Sequence, residues 1–376
     1  MKNRMGLYVH IPFCQKRCHY CDFLTFEHQE DRMDQYVDYL IKEIQLYQNK
    51  DYTLDTIYFG GGTPSYLSSQ QITRIMNTIG ETFNLLDDCE TTIEMNPESV
   101  TEEKVRRYLE LGINRFSMGV QTFNDAVLKT MGRLHNQASV FEKMALLKRL
   151  GCKNISIDLM FANPEQDMSI LKKDIELALS LKINHLSIYS LMIKEKTLFY
   201  SWVRTGKIHL YDDDIERDMY HYIQKTLKNH GFHQYEISSF ARGEAESRHN
   251  KKYWQLKDYL GVGMGASSNV GLVRSTNHRR FDKYFEMIDQ GILPVLLSES
   301  ISMEDREHEY IMLNMRLIKG FSIEDINQKF GIDFLKKYQY AIDKHTKNGV
   351  IRISDGRVFF TDFGLDVGNQ FYLDIL

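Results

Sequence analysis

The chain predicts an α/β fold: a parallel sheet rolled into an open, partial (β/α)6 barrel of the TIM-like kind, followed by a small α+β unit. Three observations carry this reading. From residue 7 to about 230, short apolar runs alternate strictly with longer amphipathic ones, and such alternation implies parallel strands joined by right-handed helical crossovers. Six such pairs occur, which suits a partial barrel; a doubly wound sheet is the structural alternative. From about residue 301 the pattern changes to helical segments followed by a hairpin.

Taken in order, the strand-like runs are LYVHI (7–11), DTIYF (55–59), TTIEM (91–95), NRFSM (114–118), ISIDLMF (155–161) and HLSIYSL (185–191). Helical periodicity falls at 31–49, 69–84, 101–111, 136–150, 168–181 and 212–230. Residues 1–235 then form the core domain, and 236–300 a connecting segment that completes it. The glycine-rich YLGVGMGASS from Tyr259 reads as a close-packed loop closing the barrel. Residues 301–376 form the last unit: helices in EHEYIMLNMRLIKGFS and FLKKYQYAIDKHTKNG, then a hairpin turning at Asp355 and Gly356.

At 376 residues, 43% hydrophobic and 12% aromatic, the chain can bury a sizeable core. Its net charge of −4 argues against a general nucleic-acid binder. The last unit carries 10 Lys+Arg against 12 Asp+Glu, a balance of −2, so DNA binding is not expected there either. A lid or partner-docking role fits that unit better. No leader-like segment or membrane-length apolar run stands out, and the chain reads as a cytoplasmic globular protein.

The densest chemical signal is HIPFCQKRCHYCDF, in which Cys14, Cys18 and Cys21 follow the first strand with C-x3-C-x2-C spacing. Thiolates select soft metals, so zinc or an iron–sulfur cluster is favoured over magnesium or calcium. A disulfide pair is a poor reading, since five cysteines is an odd total and Cys89 and Cys152 stand alone. A Cys3His zinc site using His10 or His19 competes with a cluster. Iron–sulfur cubes usually have four cysteine ligands, so three would leave one iron open to another partner.

The strand ends supply the remaining candidates. GGGTPS (60–65) removes side chains, so a ligand could lie against bare backbone; a phosphate cradle competes but the Walker lysine is absent. Glu94 in IEMNPES is either a solvated carboxylate or an acceptor for a cationic or hydroxylated ligand. Gln121 in FSMGVQTFND and Arg133 in GRLHN offer an amide and a guanidinium fork. Asp158 interrupts an apolar strand, and a buried carboxylate is costly unless paired, so it is a ligand contact or a structural partner.

The cysteine loop, with Tyr20 before the last cysteine, resembles the signature of the radical S-adenosylmethionine (SAM) superfamily. That resemblance implies that Cys14, Cys18 and Cys21 hold a [4Fe–4S] cluster whose open iron is chelated by SAM, and that Cys89 and Cys152 are small buried residues. YVHIPFC, YFGGGTPS, MNPES, FSMGVQTFND and IDLMFANPEQ are similar to one branch: oxygen-independent coproporphyrinogen III dehydrogenase and the HemW-type heme chaperones. The branch implies a radical SAM barrel with a winged-helix-like C-terminal domain. It places Tyr8, Tyr20, Gly61 and Glu94 in a first SAM site. Gly62, Thr63, Gln121, Arg133 and Asp158 fall in a second SAM pocket, which a substrate could fill instead.

Two features divide the siblings. The dehydrogenase has another cysteine two residues after the third ligand, where this chain has Phe23. HNKKYW (249–254) matches the H-N-x-x-Y-W motif associated with heme in the chaperones, which implies His249 as an axial ligand with Tyr253 and Trp254 beside the macrocycle. A surface or hydrogen-bonded loop histidine is the alternative for His249. The chaperone resemblance implies no assigned catalytic residue. It implies heme as cargo, respiratory apo-hemoproteins as acceptors, a reductant protein, peripheral membrane association and a homodimer. The dehydrogenase remains the alternative function.

Overall fold

The structure, a computed structural model, describes residues 3–48 and 51–376; the expected end of the first helix at 49 lies outside them. Six parallel strands run in sequential order: β1 (Asn3–Ile11), β2 (Tyr52–Gly61), β3 (Asn84–Met95), β4 (Arg115–Gln121), β5 (Asn154–Phe161) and β6 (His185–Ser190). Sequential order without reversal is barrel winding and excludes the doubly wound alternative. The crossovers are α1 (Met33–Gln45), α2 (Ser69–Thr82), α3 (Glu102–Glu110), α4 (Asp125–Met131) with α5 (Gln137–Arg149), and α6 (Met168–Ser180). After β6 come α7 (Leu198–Arg204), α8 (Asp213–Asn229), and the antiparallel β7 (His233–Glu236) and β8 (Ser239–Ala241), which extend the sheet beyond β6.

Period-two alternation sorts the two faces. Leu7, Val9 and Ile11 of β1, Ile57 and Phe59 of β2, Phe116 and Met118 of β4, and Leu186 and Ile188 of β6 lie in one apolar core. The helices meet that core with residues spaced three and four apart, as in Val37, Leu40 and Ile44 of α1 or Leu171, Ile175 and Ala178 of α6. Several helices start where a Ser, Thr, Asn or Asp can cap the free N–H groups, as Ser68 does in a full capping box with Gln71. The alternate residues face a lumen and are mostly polar or small: Gly6, Tyr8 and His10; Thr56, Tyr58 and Gly60; Glu94; Ser117 and Gly119; Asp158; Ser187. Barrels of this architecture usually fill their interior with branched aliphatics. This one does not: its lumen mixes glycines and tyrosine rings with a few polar groups, and placed polar groups are what fix a ligand's orientation in a pocket.

Residues 236–300 are more regular than expected. After α9 (Arg248–Trp254), the segment read as a loop forms β9 (Tyr259–Val262) and β10 (Ser267–Val270), continued by β11 (Val273–Asn277), α10 (Phe281–Asp289) and β12 (Val295–Ser300). β9 pairs in parallel with the free edge of β1 between Gly6 and Val9, so unpaired backbone on β1 converts the segment to strand. The whole sheet has twelve strands, ordered β12-β11-β10-β9-β1-β2-β3-β4-β5-β6-β8-β7. Buried Glu43 of α1 accepts hydrogen bonds from Gly263 N (2.8 Å), Asn277 Nδ2 (2.7 Å) and the Tyr284 hydroxyl, pinning this extension.

The last unit comprises α11 (Met303–Asn314), β13 (Phe321–Ser322), α12 (Ile323–Phe330), α13 (Phe334–Lys337), α14 (Gln339–Lys347), β14 (Ile351–Ser354), β15 (Arg357–Phe360), α15 (Asp362–Val367) and α16 (Asn369–Ile375). The helix expected across 307–322 stops at Asn314, and Phe321 pairs with Val358 in a three-stranded sheet. The hairpin turns at Asp355 and Gly356, both left-handed (φ 51° and 71°). Helices followed by a hairpin on a three-stranded sheet match the winged-helix-like expectation. Its core of Ile311, Phe321, Phe334, Val358 and Phe371 also takes in Leu256, just past α9.

Candidate functional site

The cysteine loop lies at the C-terminal ends of the strands and is held by three neighbours. Cys14 N and Phe26 N close a short pairing (to Phe26 O, 3.0 Å, and Pro12 O, 2.7 Å). His19 donates from N (2.9 Å) and Nδ1 (2.8 Å) to the last carbonyls of α4, at Met131 and Thr130. Phe199 N of α7 donates to His19 O (2.9 Å). The loop is also stitched to GGGTPS, because Gly62 N and Thr63 N donate to Ile11 O and Phe13 O (both 2.8 Å). A Cβ on Gly62 would meet those same carbonyls at 2.9 and 2.7 Å, and one on Gly61 (φ 111°) would meet the His10 ring. Gly62 therefore makes room for the cysteine loop, while Gly60 faces the lumen beside Tyr8, Tyr58 and Glu94.

All five cysteines are free thiols. Cys14 is buried, Cys18 and Cys21 are half-buried, Cys152 is buried as expected, and Cys89 is only half-buried. Burial pushes the Cys14 thiol up to about 12 and raises Cys21 as well. Metal must therefore displace protons to bind. Cys18 and Cys21 open on a cleft of about 490 Å³ lined by Lys16, Arg17, His19 and Lys196. Phe23 is exposed beside them.

The two histidines are not equally available to a closed zinc site. His10 Nε2 donates to Leu24 O (3.0 Å), so Nδ1 accepts from the Tyr8 hydroxyl (3.0 Å) and both nitrogens are engaged. His19 has committed Nδ1, leaving Nε2. Tyr20 packs against Phe199 in a small apolar cluster with Val127, Met131 and Leu191.

Of the expected ligand contacts, Glu94 stands on the lumen wall and accepts from the Tyr58 hydroxyl (2.7 Å). Burial raises its carboxyl to about 7. Tyr58, which opens YFGGGTPS but is not among the candidate contacts, is sandwiched: its ring stacks on Tyr8 (centroids 6.3 Å) and on His249 (5.0 Å). Asp158 accepts from Ser117 Oγ (3.2 and 3.3 Å), and burial raises its carboxyl. Gln121 leaves β4 in left-handed backbone (φ 67°) at the lumen mouth. Arg133 does not present an open fork. Nη2 donates to Asn96 Oδ1 (2.7 Å) and Gly119 O (2.6 Å), and Nη1 to Cys18 Sγ (3.4 Å). Burial opposes its charge, but Cys18 and Tyr20 beside it hold the guanidinium above its ordinary value. Its Nε is buried without a hydrogen-bond partner. Three soft donors, a buried cation with a spare N–H and a lumen carboxylate suit an anionic thiolate-held cluster with a zwitterionic cationic ligand beside it.

His249 is placed differently from its reading. It lies on α9 and not in a loop, it is fully buried, and it plugs the opposite end of the same lumen. Its N–H donates to Glu90 (3.0 Å), Nδ1 is hydrogen-bonded with Thr56 Oγ1 and Nε2 with Tyr253 Oη (both 2.8 Å). Burial and then Lys252 lower the imidazole to about 3, so the ring is neutral. Gly6 admits the helix: a Cβ there would meet Lys252 Cδ at 3.0 Å and His249 Cε1 at 3.1 Å. Lys252–Asp55 (2.7 Å) and Arg248–Asp88 (3.2 Å) ion pairs hold α9 in place. The Arg316 guanidinium lies 4.3 Å over the Trp254 ring, tying α9 to the C-terminal unit.

Comparisons with known proteins agree with this geometry. Residues 8–178 match the radical SAM superfamily model and residues 301–367 the HemN C-terminal domain. The heme chaperone HemW of Bacillus subtilis is 35% identical over 97% of both chains. That of Lactococcus lactis is 36% identical over 97% of this chain and 95% of its own. The coproporphyrinogen III oxidase (HemN) of Escherichia coli, a radical SAM enzyme, superposes with TM-score 0.87 at 22% identity, over 100% of this chain and 90% of its own; at that identity it shares the fold. No helix among the described residues is long and apolar enough to cross a membrane.

Proposed function

Because the chain belongs to the HemW-type heme-chaperone family of the radical SAM superfamily, we propose that it binds a [4Fe–4S] cluster, SAM and heme, and passes heme to apo-hemoproteins of the respiratory chain. One observation carries the reading. The thiolate loop and the HNKKYW helix stand at opposite ends of one polar lumen, and Tyr58 lies on the wall between them, hydrogen-bonded to Glu94 and stacked on the His249 ring.

Cys14, Cys18 and Cys21 would hold the cluster, and Tyr8, Tyr20, Gly61 and Glu94 would receive SAM. Glu94 complements a cationic ligand, and Tyr58 fixes the carboxylate that does so. Gln121 and Asp158, at the mouth and on the wall, with Gly62, Thr63 and Arg133 below the cysteines, border the space for a second SAM or a substrate. When bound, the cluster and SAM supply one-electron chemistry; the protein contributes orientation, shielding and the electrostatics of the lumen. His249 would ligate heme once an engaged ring nitrogen is released, so heme uptake includes movement of Tyr253 or of α9. A reductant protein, contact with a membrane surface and a homodimer belong to the same reading, as does a location in the cytoplasm.

Three measurements on the full chain test it. Anaerobic reconstitution should give a reduced [4Fe–4S] signal in electron paramagnetic resonance that SAM perturbs; an iron-free or SAM-insensitive protein overturns the cofactor assignment. Heme titration should give a spectrum that changes in His249→Ala. With SAM, reductant and coproporphyrinogen III, the protein should form no protoporphyrinogen at catalytic yield; turnover would establish the dehydrogenase in place of the carrier.

A further inference from the structure

Asn96, in MNPES, stands between two of the three cysteines. It occupies the N-cap position of the short helical turn Pro97–Ser99, yet its side chain makes no capping bond. An asparagine there ordinarily satisfies the free N–H groups of the turn. Here the side chain is committed elsewhere. Its Oδ1 accepts from Arg133 Nη2 (2.7 Å), which orients the amide, and its Nδ2 donates to Thr63 Oγ1 (2.9 Å). Because the Thr63 oxygen accepts that bond, its own hydrogen is free for Cys14 Sγ, 3.3 Å away. Arg133, anchored on Gly119 O, sends Nη1 to Cys18 Sγ (3.4 Å). The chain of bonds ends with one group on each of two sulfurs, Thr63 Oγ1 on Cys14 and Arg133 Nη1 on Cys18.

We infer that Asn96 is a positioning residue for the cluster: it aligns one hydrogen-bond donor on Cys14 and another on Cys18, raising the cluster's reduction potential and slowing its loss. The inference rests on the cluster assignment above. The physical ground is general. Hydrogen bonds to cluster sulfurs stabilise the more negative, reduced state, and groups behind the ligands fix ligand orientation.

The test uses the full chain, reconstituted anaerobically, as wild type, Asn96→Ala, Asn96→Asp, Thr63→Val and Thr63→Ser. Iron content, a redox titration followed by electron paramagnetic resonance, and the rate of iron loss to a chelator are read for each. Asn96→Ala should load iron normally, titrate at a more negative potential and lose iron about tenfold faster or more. Asn96→Asp should shift at least as far, because its carboxylate still accepts from Arg133 but draws the Thr63 hydroxyl away from Cys14 and adds negative charge. Thr63→Ser keeps the donor and should stay near wild type, whereas Thr63→Val should shift. Loaded variants with wild-type potentials and iron-loss rates overturn the inference and leave the cluster assignment intact. A wild type that takes up no cluster removes both. If Asn96→Ala does not load, the Thr63→Val and Thr63→Ser pair decides: equal potentials overturn the inference and unequal ones uphold it.

Discussion

The two ends of the lumen carry soft or aromatic donor atoms under opposite conditions. At the C-terminal strand ends, Cys18 and Cys21 open on a cleft, and the groups around the sulfurs donate to them. At the N-terminal ends, His249 is sealed beneath α9 with both ring nitrogens engaged. The contrast teaches that a sequence motif can mark a site without marking its readiness. The upper donors are arranged to be completed by a ligand. The lower donor is part of the packing until something displaces its partners.

The comparison breaks most sharply if the cysteine and the histidine respond alike to removal. Cys18→Ala should abolish the reconstituted cluster signal while leaving the urea unfolding midpoint near wild type. His249→Ala should do the reverse, keeping the cluster but costing about 3 kcal/mol in urea denaturation, from a lost buried ring and two unpaired hydroxyls. A stable His249→Ala protein would mean that the floor is loosely packed.

Acid and base should also separate the two ends. His249 falls from an ordinary 6.5 to about 3 on folding, so between those values the unfolded chain binds more protons. Its contribution is complete above about pH 6.5 and lost as pH falls toward 3. Glu94 rises from 4.5 to about 7, so the folded protein binds more protons in that window. Its contribution is complete below 4.5 and lost as pH rises through 7. Denaturation curves from pH 4 to 8 should show Glu94→Gln gaining on wild type as pH rises and His249→Ala gaining as pH falls. Trends of the same sign would remove the contrast.

The smallest effect sharpens the lower site. Tyr253→Phe deletes one hydrogen bond to Nε2 and should cost about 1 kcal/mol. It should also speed heme association, since one nitrogen is already released; an unchanged rate in stopped-flow absorbance would point to movement of α9 instead.

The fold was largely legible because alternation of apolar and amphipathic segments is a local pattern, and the six expected strands all lie within β1 to β6 or overrun them by a residue at most. The cysteine loop was legible because its three cysteines lie within eight residues. Tyr58 and Asn96 were not. One looks like an ordinary strand aromatic and the other like an ordinary cap, and their partners lie between 33 and 191 positions away along the chain. β9 was missed because glycines weaken any strand signal, and only the open edge of β1 supplies its partner.

By itself the sequence determined the strand and helix order, the soft-metal loop and the family, since each depends on residue type and short spacing. Tertiary structure alone decided that Gly62 serves the loop's backbone, that Arg133 turns to Cys18, and that His249 is closed. Those outcomes depend on hydrogen bonds and packing between distant segments, where each buried polar group must take whichever partner the fold brings within reach.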